Sequence, residues 1–415
     1  MKVTAIAVTL ALLAFVCGNV WVFVSAPLFV QYFYFPKMVA LTHTFTLGWI
    51  SLMIVGVLHQ LAPVAFGLRL KSPALHGWAV AFMTSGTLTM IAGFATRAYV
   101  PAAIGTILVF AGVGCFVFPL MRALHDTAKE PPHQYLQASL LYFALAALAG
   151  LWLGLSKGFD VPLVSPFHRL LYAHIHLAGA GWAGMMIISV MSRLFPQPHF
   201  DHPAQARWRF RLFNTGLIGL TAGLLVGGDW YVYFGAAMAL AFIWYSVAFV
   251  PVLWSFRKAG ERSMLFIVTA WIFLAMVAAI GIWFSSGDRY SLAMLTQLQF
   301  VYGFLYVFGW ITFMILGMLY RIIPTHISRL MTAKGLIAPP QLRAALEDTT
   351  LQTLVYGFLL CGTAVAAAGV GAESVRLFRF GWVLWLAGVT GFIAGLARLG
   401  LWIRTTADQT AHKAR

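Results

Sequence analysis

Three segments of the chain share one pattern of glycine and tryptophan. Residues 43–49 read HTFTLGW, residues 176–182 read HLAGAGW, and residues 304–310 read FLYVFGW. The tryptophans are 133 and 128 residues apart, and a proline follows each of them after 14 residues, at Pro63, Pro196 and Pro324. Repetition at a nearly constant interval is typical of a chain built from similar structural units. We therefore predict three units, at about residues 1–130, 131–260 and 261–415.

The composition indicates that these units lie in a membrane. Hydrophobic residues make up 61% of the 415 and charged residues only 9%, against roughly a quarter in soluble domains. This excludes a soluble enzyme, a disordered chain and a secreted disulfide scaffold. A spanning helix needs about 20 mostly apolar residues. Twelve such runs are present, at about 4–31, 38–67, 74–96, 99–121, 134–156, 168–195, 209–228, 230–255, 264–285, 294–323, 350–371 and 377–403.

Four of these runs fall in each repeat. The sequence therefore predicts an all-α polytopic membrane protein with twelve transmembrane helices in three pseudo-symmetric groups of four, forming a single transmembrane domain over residues 1–415. The three cysteines form no CxxC or CxxCH motif, so neither a thiolate metal site nor covalently attached haem is indicated.

The basic residues predict the orientation of the chain. Its net charge is +16, which on a soluble protein would indicate a nucleic-acid partner. Seven of the 27 basic residues lie on one predicted side and the other 20 on the opposite side. Because cytoplasmic loops are enriched in Lys and Arg, we expect both termini in the cytoplasm of a bacterial-type inner membrane. The positive charge then indicates anionic lipid rather than nucleic acid. The seven outer residues are Lys37, Arg97, Lys157, Arg169, Arg289, Arg376 and Arg379.

Three of the twelve histidines lie inside apolar runs near the predicted outer face: His43, His174 and His176. An ionisable side chain at such a depth indicates a functional site. His59 and His76 fall near the inner end, and we interpret them as surface or interfacial histidines. Residues two apart on a helix point roughly 200° apart, so His174 and His176 can serve different sites. Neutral imidazole suits iron and copper, and haem iron commonly takes axial histidine in an apolar pocket.

Residues 172–182, which read YAHIHLAGAGW, resemble the tenth helix of the haem-copper oxidase catalytic subunit. The likeness is closest to the C-family oxygen reductases and the nitric oxide reductases. The resemblance implies one or two haem b groups, copper as a possible further cofactor, and a quinol or cytochrome c electron donor. His43 matches the second-helix ligand of the low-spin haem, with His174 or His176 as its partner. The remaining histidine would face a second haem or a copper ion; alternatively His43 occupies a copper-ligand position.

The resemblance also implies that arginines near the outer face pair with haem propionates. Arg97 and Arg169 are the first of five candidates, and the others are Arg289, Arg376 and Arg379. The chain differs from the family in three respects. The HxH pair lies on the sixth predicted helix, the seventh has no adjacent histidines, and the tenth carries Tyr302 and Tyr306 where a histidine is expected. The chain is therefore most similar to divergent short members such as the NnrS-like haem proteins linked to nitric oxide tolerance.

Three functions follow as hypotheses. The first is a membrane haem b protein that transfers electrons or reduces a small diatomic gas, nitric oxide or oxygen, near the outer face. This would be an oxidoreductase without the usual copper-site histidines. The second is a non-redox haem or gas-binding protein for sensing or tolerance. The third is a copper or haem transporter that uses the histidines as transient ligands.

Overall fold

The computed structural model describes residues 2–30, 34–70, 72–125, 130–195, 202–249, 251, 261–285, 292–333 and 348–413. Across these ranges the regular structure is helical, and long helices follow one another in twelve stretches. They are α1 Lys2–Val24, α2 Pro36–Phe66, α3 Pro73–Thr96, α4 Tyr99–His125, α5 Pro131–Phe159, α6 Phe167–Leu194, α7 Pro203–Val226, α8 Tyr231–Ala248, α9 Ser263–Ser285, α10 292–333, α11 Thr349–Gly371 and α12 Val375–Lys413.

Within the described ranges, eleven helices are long and apolar enough to cross a membrane. The exception is α7, which corresponds to the predicted run 209–228. Arg207, Arg209 and Arg211 lie in its first half and lower its hydropathy. The prediction of an all-α polytopic membrane protein is confirmed.

Each group of four helices contains a π-helical segment in its second helix. The segments are Thr44–Ser51 in α2, Leu177–Gly184 in α6 and Leu305–Thr312 in α10, and each has eight residues. The repeated Gly-Trp pair occupies the fifth and sixth positions of all three segments. The sequence repeat is therefore also a repeat of backbone conformation. Helices of the π type are rare and are often found at functional sites.

The glycine of each repeat lies against the first helix of its own group. A Cβ added at Gly48 would lie 2.9 Å from the Ala14 Cβ, and one at Gly181 would lie 2.6 Å from the Tyr142 Cβ. A Cβ at Gly309 would lie 2.7 Å from Cγ of the Phe273 ring. Glycine is thus required for close helix approach at all three places.

The tryptophans that follow these glycines are core residues. Trp49, Trp182 and Trp310 are almost completely buried. The Trp49 ring stacks on Phe15 with 4.3 Å between centroids, and the Trp182 ring stacks on Phe143 at 3.9 Å. Both partners belong to the first helix of the respective group. The tryptophans therefore anchor helix packing.

The third and fourth helices of each group form a tightly packed hairpin: α3 with α4, α7 with α8, and α11 with α12. A residue with positive φ lies in the short connection of each hairpin, at Arg97 (61°), Gly227 (90°) and Glu373 (51°). The left-handed conformation reverses the chain direction directly after the helix. The groups thus share a second structural feature, which the Gly-Trp pattern does not reveal.

The chain divides into two compact units. The first comprises Met1–Val22, Tyr32–Val252 and Leu274–Thr296, and so includes all of α2 to α8. The second comprises Phe23–Gln31, Leu253–Phe273 and Gln297–Arg415. In the second unit, rings stack in the order Phe29, Phe378, Trp382 and Trp385, with 4.7, 5.7 and 5.7 Å between successive centroids. His43, His174 and His176 all belong to the first unit.

Candidate functional site

Two of the three candidate histidines directly precede a π-helical segment. His43 is the last α-helical residue before Thr44–Ser51 in α2, and His176 is the last before Leu177–Gly184 in α6. The two histidines therefore occupy equivalent positions in the first two repeats. In the third repeat this position is taken by Phe304, which is buried.

The structure brings His43 and His174 together across α2 and α6. Their ring centroids lie 6.4 Å apart, and the ring planes differ by 27°. An imidazole nitrogen lies about 2 Å from a bound metal ion, and the ring centroid about 1 Å further, so two rings that bind one ion from opposite sides have centroids about 6 Å apart. The spacing of His43 and His174 agrees with that arrangement.

The hydrogen bonds of the three histidines define their tautomers. Nδ1 of His43 lies 2.7 Å from the Val39 carbonyl oxygen, and Nδ1 of His174 lies 2.9 Å from that of Ala146. Nδ1 of His176 lies 2.8 Å from the Tyr172 carbonyl oxygen. Because a carbonyl oxygen only accepts, Nδ1 is the donor in each pair. In a neutral ring this leaves the lone pair on Nε2, the state in which histidine binds a metal.

Helix α5 packs against the His174 ring. The Ala146 carbonyl accepts the hydrogen bond from His174, and Gly150, one turn further along α5, provides room for the ring. A Cβ added at Gly150 would lie 3.0 Å from Cε1 and 3.3 Å from Nδ1 of His174. Substitution at Gly150 would therefore push on the histidine without removing any of its polar groups.

The surroundings of the pair are apolar. The Phe94 ring lies nearly parallel to that of His43, at 10° and 6.4 Å between centroids. Phe94 belongs to a core cluster with Ala40, Met90 and Ala102. All three candidate histidines keep part of their surface exposed. Phe94 and its cluster thus give the pair an apolar environment on the side of His43.

The two candidate arginines are associated with helix ends. Arg97 follows α3 in the left-handed conformation, and its backbone N–H donates to the Phe94 carbonyl at 3.3 Å. The Arg169 guanidinium packs on Gly227, and its Nη1 lies 3.5 Å from the Val226 carbonyl oxygen. Arg169 therefore contacts the carboxyl end of α7, as basic side chains commonly do. Of the other outer arginines, Arg289 lies outside the described residues, and Arg376 and Arg379 are exposed.

Helix α10 carries tyrosines at the corresponding positions of the third repeat. Tyr302 lies 128 residues after His174, which is the interval of the repeat. Its ring centroid lies 6.5 Å from that of Tyr306, which in turn packs edge-on against Trp310 at 4.9 Å. The third repeat thus presents an aromatic series where the second presents the HxH pair.

The sequence interpretation of His76 as a surface or interfacial histidine is wrong, because its side chain is only 1% exposed. His76 lies three residues after the start of α3, where a solvated helix end was expected. It pairs with His59 of α2 instead, with 4.0 Å between ring centroids. His133, 8% exposed, is also buried, and its Nε2 lies 3.0 Å from the Phe66 carbonyl oxygen. The sequence contained one indication that this pair is buried, because His59 lies inside the same apolar run as His43.

Among the residues that the structure describes, no three His, Cys, Asp or Glu side chains come close enough to hold a metal ion. A site at His43 and His174 therefore offers two protein ligands from this set. A porphyrin supplies the four remaining ligands of a haem iron, so a two-histidine site fits haem. No protein-family model matches the chain, and no curated protein matches it either.

Proposed function

We propose that the chain is a membrane haem b protein of the haem-copper oxidase superfamily that transfers electrons or reduces a small gas such as nitric oxide or oxygen. The observation that carries the proposal is the pairing of His43 and His174, 6.4 Å apart between ring centroids. When bound, haem supplies an iron that is reversibly oxidised and reduced by one electron.

The hydrogen bonds to backbone carbonyls give both histidines a defined role in this proposal. The Val39 carbonyl accepts a hydrogen bond from Nδ1–H of His43, and the Ala146 carbonyl accepts one from Nδ1–H of His174. Each bond fixes the tautomer that leaves Nε2 available and increases the basicity of the ring as a ligand. The two residues would hold and orient the iron, while Phe94, whose ring packs against that of His43, would exclude water on one side.

His43 and His174 would hold the haem iron as its two protein ligands, and an iron held by two histidines would supply electron transfer rather than gas binding. Reduction of nitric oxide or oxygen requires a second centre, and His176 is the candidate ligand because it projects from another side of α6. Haem and lipid would be the permanent partners, and a quinol or cytochrome c the electron donor.

Arg97 and Arg169 are proposed partners of the haem propionates, because guanidinium groups match carboxylates in geometry and charge. Arg169 would then donate some of its guanidinium N–H groups to the Val226 carbonyl at the end of α7 and others to a propionate. We further propose that the chain lies in a bacterial-type inner membrane with both termini in the cytoplasm.

Turnover measurements separate this function from the alternatives. Purified protein in detergent would be reduced with a quinol or with cytochrome c, and consumption of oxygen and of nitric oxide would be followed with electrodes. Sustained consumption supports an oxidoreductase, and fast haem reduction without gas consumption supports an electron carrier. If neither donor reduces the haem, a non-redox sensing or tolerance protein is favoured. Copper or haem uptake into proteoliposomes by haem-free protein would favour a transporter.

A further inference from the structure

A second pair of histidines lies at the opposite end of α2. His59 follows His43 by 16 residues, a distance of about 24 Å along a helix. Its ring lies 4.0 Å, between centroids, from that of His76 in α3, and the two planes are tilted by 58°. The Phe116 ring of α4 meets His76 edge-on at 6.4 Å. The pair is thus distant from the proposed haem ligands and packs against an apolar side chain of α4.

Three of the four ring nitrogens of this pair are buried without hydrogen-bond partners. Both ring nitrogens of His76 and Nδ1 of His59 are inaccessible to solvent and make no hydrogen bond. Leaving a buried polar group unsatisfied costs about 1–3 kcal/mol. A ligand bound between the two adjoining rings would satisfy these atoms. The contrast with His43, His174 and His176 is clear, because each of those has its Nδ1 bonded to a carbonyl oxygen.

The residues around His59 and His76 limit the kinds of ligand that can bind there. Neutral imidazole is a good ligand for first-row transition metals. Among the described residues, no aspartate or glutamate lies close enough to share an ion with this pair, so no carboxylate is there to balance a divalent ion. Transferring charge into an apolar interior is expensive, and the cost is lower for a monovalent ion. Copper(I) combines affinity for imidazole with a single positive charge.

The spacing of the rings indicates how the ion would be held. Two ligand nitrogens at adjacent positions of one ion lie about 3 Å apart, whereas rings at opposite positions have centroids about 6 Å apart. The 4.0 Å separation of His59 and His76 agrees only with adjacent positions. The ion would therefore keep one or two further positions for water or a small ligand.

We propose that His59 and His76 form a copper(I) site at the end of α2 opposite the haem ligands. His76 is buried and His59 is partly exposed, so the ion reaches the pair from the side of His59. This site is separate from the three histidines on which the haem proposal depends. It can therefore be present whether or not haem is bound.

A copper(I) titration tests the proposal. Purified full-length protein would be titrated with copper(I) under reducing conditions against a chromogenic copper(I) chelator, and bound copper counted per chain. We expect one equivalent in the wild type. Loss of an outer-shell partner already costs about 10–100-fold in metal affinity, so H59Q and H76Q should each bind at least about tenfold more weakly. The matched control is H168Q, because His168 is exposed at the start of α6, and it should bind like the wild type.

X-ray absorption at the copper edge gives a readout that does not depend on any variant. Two imidazole ligands on copper(I) in wild-type protein would support the site, even where H76Q fails to fold. No bound copper, or equal affinity in wild type, H59Q, H76Q and H168Q, would overturn it. The haem spectrum of the same samples separates the two proposals. If haem-free protein binds copper and this binding depends on His59 and His76, the copper proposal is supported and only the haem proposal is contradicted.

Discussion

A buried histidine can bind a metal only through a nitrogen that carries a lone pair, and the backbone decides which nitrogen that is. In His43 and His176 the deciding carbonyl lies four residues earlier on the same helix, at Val39 and Tyr172. For His174 it lies on another helix, at Ala146. The position of His174 therefore depends on α5 as well as on α6, and this makes it the most informative residue to perturb.

Substitution of Gly150 tests that dependence. In G150A the new Cβ would lie 3.0 Å from Cε1 of His174, so the ring must shift by a few tenths of an ångström, and in G150V by more. We expect haem content to fall in the order wild type, G150A, G150V, measured as Soret absorbance per chain. The matched control is G114A, because a Cβ at Gly114 meets no atom within 4 Å. Equal haem content in all four proteins would show that α5 does not position the ligand.

Asp348 makes a pH-dependent contribution to stability. The Leu351 N–H and then Arg398 hold the pKa of its carboxyl below the usual range, with donor distances of 3.0 Å each. The contribution is therefore complete above the unfolded-state pKa, and it is lost as pH falls through the lower folded-state pKa. An exposed pair of this kind is worth about 0.2–1 kcal/mol. Thermal unfolding midpoints of wild type and D348N should differ at neutral pH and converge below pH about 4. A difference that persists unchanged at low pH would contradict this.

At the scale of elements, the π-helical segments are the part of the fold that sequence patterns did not predict. The positions of Gly48, Gly181 and Gly309 predicted a repeat, and all three segments occur there. A π segment differs from an α-helix by a shift of hydrogen bonds that leaves the apolar pattern almost unchanged. The apolar pattern alone therefore cannot reveal a π segment.

Ser51 and Trp182 connect two of these segments. Nε1 of Trp182 donates to Oγ of Ser51 at 3.1 Å, and both side chains are buried. In S51A the indole N–H loses its acceptor in an apolar interior, which costs about 1–3 kcal/mol. We expect a clear decrease in the thermal unfolding midpoint in detergent. The control is S85A, since Ser85 is exposed and bonds within its own helix. Similar midpoints for both variants would show that this link between the first and second repeats contributes nothing.

At the scale of the whole molecule, the sequence predicted the helical membrane fold and most of the helix boundaries, although α1 ends at Val24 rather than at residue 31 and α12 extends to Lys413 rather than to residue 403. It identified His43 and His174 because both lie inside apolar runs, but it left open whether His174 or His176 faces α2. A spacing of two residues places the rings on different sides of α6 without saying which neighbour lies on each side. His76 was misjudged for a related reason, because nearness to a helix end does not exclude burial by a neighbouring helix.

The distribution of basic residues predicts the orientation of the chain, and reporter fusions can test it. A fluorescent protein fused after Arg415 should fluoresce, and alkaline phosphatase at the same position should be inactive, because we expect that end in the cytoplasm. Fusion after Ala98, between α3 and α4, should give the opposite pair of results. The reverse pattern at both positions would place the 20 basic residues outside and overturn the predicted orientation.

The most direct test of the account is the visible spectrum of the purified protein. Wild-type protein should show a Soret band and a reducible b-type α band, with iron bound to the chain. H43A and H174A should each lose most of this absorbance, whereas H168A, which changes an exposed histidine, should retain it. A haem-free wild type obtained in good yield, or full haem content in both H43A and H174A, would contradict the proposal that these two histidines hold a haem.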